Sequence, residues 1–324
     1  MNLMKLITRI ERELITSAPA SFLIRKSKKI ILPGFKGIPL FDVIRFFFMQ
    51  VKKTGLTERS SAIAFNFTMA IPPAVIFLFT LIPYLPISKQ FILQMFSLIR
   101  DVVPGEKNNH PLITFLSDIL NKPRTGLLST GFILAMFFSS NAVMGIMRSF
   151  DKNYIGFKKR KGIHQRSMAL RLTFILFILF FITIILLIMQ GAVLRWLGVS
   201  NEIVITLIHN LRWVFIVMMF FFSISFIYRY APSMHKRWKL INPGSILAAF
   251  LMIVFTAGFS YWVSNFSNYN ELYGSISTVL ILMLLIYFNS LVLLIGFELN
   301  VSINSLKYEV DERNKNLAGG HHTA

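Results

Sequence analysis

Cysteine is absent from the 324 residues, which removes disulfides and cysteine-ligated zinc and leaves the redox compartment unread. Acid is scarce, with 14 Asp and Glu against 34 Lys and Arg. Histidine is scarce too: His110, His164, His209 and His235 stand singly near span ends or loops, and His321 and His322 sit in the polar tail. A metal-dependent nuclease needs clustered His, Asp or Glu, and a metal-free one needs an acid and a base facing one site. Neither pattern is present, so no catalytic, cofactor-binding or metal-binding residues are expected. No continuous apolar core with a small-residue cleavage site opens the chain; the amphipathic stretch MNLMKLITRIERELITSAPASFLIRKSKK is expected to be retained, in the cytoplasm. Internal repeats are missing, and with them the inverted-repeat signature of many transporters.

What the chain has in excess is apolar sequence. Hydrophobic residues make up 55% of it, Phe alone numbers 33, and the mean hydropathy is +0.62. Soluble domains hold about 45–50% apolar residues. An α-helix needs about 20 mostly apolar residues to cross a bilayer, because no water is there to pair a stray backbone group. Six stretches meet or approach this: Ala62 to Tyr84, Leu127 to Met147, Leu172 to Leu194, Leu211 (or as early as Ile203) to Tyr230, Gly244 to Asn265, and Ser275 to Asn300. The fold expected is all-α: a polytopic integral membrane protein of six transmembrane helices with amphipathic interfacial and external helices. Its parts are a basic cytoplasmic or interfacial segment over residues 1–60, a transmembrane domain over 61–305 with an external hairpin at about 85–126, and a polar, mobile cytoplasmic tail over 306–324.

Alternate segments between these spans carry 27 Lys and Arg on one side and 7 on the other. That is the positive-inside pattern, with both termini cytoplasmic. The net charge of +20 then follows from topology and from anionic lipid headgroups at the cytoplasmic face, and nucleic acid is not needed as a partner. Before the first span, IPLFDVIRFFFMQVKK has a broad apolar face that suits a helix lying in the interface. Trp196, Trp213 and Trp262 fall near span ends, where an aromatic belt would place them.

Candidate functional residues are polar or helix-breaking groups within these apolar runs. Pro72 and Pro73 remove helix hydrogen bonds inside the first span, so a kink or break is expected there, with Asn66 about two turns earlier. In the second span, Ser139, Ser140 and Asn141 allow close helix approach, and Arg148 stands three residues before Asp151. Tyr228, Arg229 and Pro232 close the fourth span, where Arg229 either reaches to headgroups or meets a buried acid. In the last span Tyr287, Leu291, Leu294 and Glu298 share a face, with Asn289, Gly296 and Asn300 on a neighbouring one. Glu298 ends a charge-free run from Ser275 to Phe297. An ionisable residue in such a stripe is a functional candidate. Arg229 and Arg148, on the same side, are its expected partners.

These residues carry a family resemblance. YRYAP (Tyr228 to Pro232), NPGSILAA (Asn242 to Ala249), Tyr261, YGS (Tyr273 to Ser275, with Gly274) and LIGFELN (Leu294 to Asn300), together with SAIAFNFTMAIPP, resemble the YihY/BrkB family of bacterial inner-membrane proteins over about residues 40 to 305. Asn66 departs from the tyrosine more usual there. The resemblance implies a six-helix bacterial inner-membrane protein with cytoplasmic termini. Members have carried the label of a transfer-RNA-processing ribonuclease, widely regarded as a misassignment, and one branch is described as a serum-resistance virulence factor. Transport or handling of a lipid or amphiphile for the envelope is the leading functional expectation. The alternatives are an ion or small-solute exporter using Glu298, and a membrane scaffold for an envelope protein partner.

Overall fold

The computed structural model describes residues 18–84, 113–114, 117–118, 125–151, 154, 157, 162–196, 202–234, 237–266 and 276–319. The expected external hairpin falls almost wholly outside the described residues, as do Tyr273 and Gly274. A short helix α1 (Ala18–Ser27) is followed by α2 (Leu40–Lys53). Six long helices come next: α3 (Leu56–Leu81), α4 (Thr125–Phe150), α5 (Gly162–Trp196), α6 (Glu202–Tyr230), α7 (Pro243–Phe266) and α8 (Ile276–Gly319). Segments of α3, α4, α5, α7 and α8 are long and apolar enough to cross a membrane, and α6 holds a shorter apolar stretch, Val214–Tyr230. The all-α, polytopic architecture expected from the apolar runs is therefore the one found.

Each long helix packs against the next in sequence, and α3 also packs against α8, which brings the first and last spans together. The core draws on every long helix: Ile63, Ile146, Leu172, Ile224, Ala248 and Leu294 are all buried in one cluster. A smaller cluster of Phe35, Ile38, Val43 and Ile303 fastens α2 and the loop before it to α8.

Two expectations need correction. Helix α3 is continuous through Pro72 and Pro73, so the chain does not break there, and one turn on Phe77 is buried against Phe132 of α4, with ring centroids 5.4 Å apart. The segment from Lys307, expected to be a mobile tail, is helical to Gly319. Its first turns pack on α2, and Lys307 pairs with Asp311 at 2.8 Å, four residues on.

Two spans come into backbone contact at α7 and α8. A Cβ on Gly296 would stand 2.5 Å from the Gly244 carbonyl and 2.7 Å from the Ala248 Cβ. Only a residue with no side chain fits there, on either helix. Asn242 caps α7: its Oδ1 accepts from the Ser245 backbone N–H at 2.8 Å, and Pro243 takes the first helical position, where its missing N–H costs nothing. Asn300 completes the seam, accepting from the Gly244 N–H at 2.9 Å and donating to Asn242 Oδ1 at 2.6 Å. Gly296→Val is expected to overpack this seam and cost about 1–3 kcal/mol. Thermal unfolding in nanodiscs would read this as a lowered Tm, and an unchanged Tm would mean that the helices do not meet here.

Candidate functional site

Helix α3 places Leu56, Arg59, Ser60 and Ile63 on one buried stripe, so Arg59 lies on a face otherwise used for packing. Helix α8 presents Leu294, Phe297, Glu298 and Val301 to the interior, all of them at most 1% exposed. Where the two stripes meet, Arg59 Nη1 donates to Glu298 Oε1 at 2.6 Å, with the side chains 8% and 0% exposed. The second Arg59 nitrogen, Nη2, donates to the Ser149 backbone carbonyl at the end of α4. Tyr154, between α4 and α5, donates its hydroxyl to the same Oε1 at 2.7 Å. One carboxylate oxygen therefore joins the first span, the last span and the connection after the second.

An aromatic group surrounds the residue before the carboxylate. Phe297 stacks on Phe150 at 3.8 Å with the planes 5° apart, and Tyr228 meets it edge-on at 6.3 Å. Trp238 closes another side at 5.5 Å, and Tyr154 and Phe157 complete the group at 6.1 and 6.3 Å. The Tyr228 hydroxyl donates to the Leu293 carbonyl at 2.6 Å, so a fully buried phenol is satisfied by helix backbone. An isolated antiparallel bridge between Phe157 and Met234 ties together the connections that follow α4 and α6.

The carboxylate is not fully satisfied. Glu298 Oε2 and Arg59 Nε are buried without a hydrogen-bond partner among the described residues. Taking two ions out of water costs several kcal/mol each, and a close pair repays this only when its remaining donors and acceptors are met. Burial first, and the Glu298 carboxylate second, push the Tyr154 phenol well above tyrosine's usual range, with Arg59 opposing. Tyr154 thus stays a donor to the carboxylate at any ordinary pH.

The residues singled out in the sequence are distributed unevenly around this site. Glu298, Asn300 and Tyr228 gather at it or on its flank, and Pro232 is buried. Arg229 and Arg148 do not hold Glu298. The Arg229 guanidinium lies 5.7 Å from the Tyr230 ring and Arg148 is exposed, so the partner is Arg59 instead. Ion pairs between described residues join Arg59 to Glu298 and Lys307 to Asp311, and none joins Arg148 to Asp151. Asn141 accepts from Arg166 of α5. Asn66 bonds back to the Ala62 carbonyl at 2.7 Å, beside Gly145. Asn289 meets Thr256 of α7 at 3.4 Å, Tyr287 is half-buried against Phe288, Pro73 is half-buried and Pro72 is exposed. Among the described residues no group of three His, Asp or Glu stands close enough to hold a metal ion.

A helical bundle with membrane-length apolar spans, drawn together at one end by a buried ion pair, defines a multi-pass membrane protein. The chain belongs to the family described as virulence factor BrkB, which matches residues 47–319. It is 27% identical over 260 residues, 79% of this chain and 92% of the relative, to a Bacillus subtilis protein named putative ribonuclease-like protein YfkH. It is 23% identical over 265 residues to a UPF0761 membrane protein of Tolumonas auensis, covering 80% of this chain and 84% of that one. A UPF0761 membrane protein of Xanthomonas campestris is 35% identical over 89 residues, 28% of this chain and 21% of that protein. No solved structure matches.

Removing either charge alone strands the other in the interior. Arg59→Ala and Glu298→Ala are each expected to destabilise by about 3–5 kcal/mol, whereas the pair Arg59→Met with Glu298→Leu recovers most of the loss. Chemical unfolding in mild detergent checks this, and purely additive losses would show that the pair is not coupled. Tyr154 adds a pH signature. Its folded value is raised, so its contribution is complete below about pH 10 and is lost as pH climbs above that. Tyr154→Phe is expected to lower stability at pH 7 and to flatten the alkaline decline, read as Tm against pH.

Proposed function

We propose that the protein moves or presents a lipid or another amphiphile in the bacterial inner membrane, for the cell envelope. Both termini lie in the cytoplasm in this reading, as the division of 27 basic residues against 7 supports. The single observation that carries it is a core that is fully buried while the long helices turn large apolar side chains outward. At the Glu298 end, Met147 and Phe150 of α4, Tyr228 of α6, Ala248 of α7 and Phe297 of α8 are fully buried. Towards the other end the same bundle turns apolar side chains outward: Val214 on α6, Val254 on α7 and Val279 on α8 are more than half exposed. Nearer the Glu298 end too, Ile246 and Phe250 of α7 are more than half exposed, so the outer faces of the spans offer acyl chains an apolar surface along their length. Membrane lipids are the partners this implies, with anionic headgroups at the basic face.

A ribonuclease is not proposed, because the scattered histidines and acids supply no paired acid and base. The second reading, export of an ion or small solute through Glu298, is favoured by the partnerless Oε2. A buried acceptor normally has a donor, and a transported proton or cation would supply the one that is missing. Held at 2.6 Å by Arg59 and 2.7 Å by Tyr154, the carboxylate supports a lock more than a carrier.

The deciding experiment extracts the protein in a patch of its native membrane and identifies the retained molecules by mass spectrometry. One lipid class enriched several-fold over the surrounding membrane is expected, and bulk composition alone would overturn the lipid reading. Glu298→Gln separates the alternatives: solute export lost at an unchanged Tm supports the exporter. Activity that falls only in step with Tm supports the lock.

A further inference from the structure

At the Glu298 end, α2 and the extension of α8 run beside each other with an open groove of about 630 Å³ between them. Helix α2 faces it with Asp42, Arg45, Phe46 and Met49, and α8 faces it with Leu306, Glu309, Val310 and Arg313. Both sets follow i, i+3, i+4, i+7 spacing, so each is a single helix face. Other residues of α2 point away: Ile44 and Phe48, one turn apart, are 41% and 59% exposed. An amphipathic helix with such a stripe lies in the headgroup region with that stripe towards the acyl chains. The groove then opens at the depth of lipid phosphates.

Its chemistry is two-part. Phe46, Met49, Leu306 and Val310 supply an apolar floor, of which Leu306 packs against the buried cluster of Phe35, Ile38, Val43 and Ile303. Four cations stand around it, Lys36, Arg45, Lys307 and Arg313, against two carboxylates, Asp42 and Glu309. Lys307 is engaged by Asp311, but neither Arg45 nor Arg313 forms an ion pair with a described residue. Lys36 is held in a costly shape: its backbone is left-handed, with φ of 53°, and its ammonium donates to Asn304 of α8 at 2.9 Å. Strain of this kind persists where surrounding structure enforces it, and it is concentrated at ligand-holding sites.

We propose that this groove is a binding site for an anionic phospholipid, its headgroup phosphate bound between Arg45 and Arg313 and its glycerol and first acyl carbons on the apolar floor. Guanidinium is suited to phosphate because it offers paired donors in a fixed plane. The net positive wall selects an anionic headgroup over a zwitterionic one, while Asp42 and Glu309 exclude a second phosphate. The site deepens the amphiphile reading above and rests on it for the ligand being a lipid.

Native mass spectrometry of the full-length protein tests this, with phosphatidylglycerol, phosphatidylcholine or inorganic phosphate added in turn. Phosphatidylglycerol is expected to bind in preference, and Arg45→Ala with Arg313→Ala to reduce its occupancy by roughly tenfold at an unchanged Tm. Lys52→Ala, an exposed cation of α2 outside the groove, is expected to leave occupancy as it was. An equal loss in Lys52→Ala would assign the effect to overall charge and overturn the site. Inorganic phosphate competing at similar concentration would overturn the lipid assignment in favour of a free-phosphate site. Selective lipid retention that survives the double substitution would sink the groove and leave the amphiphile reading intact, whereas wild-type protein that retains no lipid selectively would sink both.

Discussion

The architecture depends on one contact across 239 residues of sequence, between Arg59 and Glu298. Sequential helices find one another through short connections, but the first and last spans meet only if something draws the ends of the chain together. Helix α3 and helix α8 supply one charge each, and the end of α4 supplies the carbonyl of Ser149. Neither charge could be left at this depth without the other. The pair is therefore a strong constraint on which helices are neighbours, whatever its net contribution to stability.

The Gly244–Gly296 seam and the Phe297 aromatic group have meaning relative to that contact. Gly296 lets α7 lie against α8, and Asn300 fixes the register by bonding both Asn242 and the Gly244 N–H. With α7 set on one side of α8, Glu298 is left facing α3 on the other. Phe297 then fills the space between Phe150, Tyr228 and Trp238, which keeps water from the carboxylate. Dry surroundings strengthen the attraction and raise the cost of the partnerless Oε2 at the same time.

The spans are legible in the sequence because a charge-free apolar run of bilayer length has little place in a water-soluble fold, and Glu298 because a charge ending such a run is conspicuous. Arg59 is not, because it precedes the charge-free stretch and counts naturally as one more basic residue of the N-terminal segment. A signal is nonetheless present: Leu56, Arg59, Ser60 and Ile63 repeat at helical spacing, which puts the arginine on the packing face rather than among headgroups. Arg229 and Arg148 are plausible partners by side and by sequence, yet helix rotation decides such matters and periodicity alone does not give it. The extension of α8 is hidden for a related reason. Its polar residues look like a solvated tail, but Leu306 and Val310 preserve a stripe for α2, and that stripe is enough to continue the helix.

Packing also says where this bundle can give way. Local opening is favoured where buried apolar contacts are few and exposed ones many. At the Glu298 end, separating α3 and α4 from α8 would break the ion pair and the Tyr154 bond together. Separating α7 from α8 there would break the asparagine bonds of Asn300. Further along, α7 and α8 are joined by the rings of Phe255 and Phe288 at 4.8 Å and by Asn289 with Thr256 at 3.4 Å, without an ion pair between described residues. In the proposed reading, a movement that admits an amphiphile therefore pivots about the Glu298 end, where charge and hydrogen bonds concentrate, with the fixed carboxylate acting as the hinge's clasp rather than as its moving part.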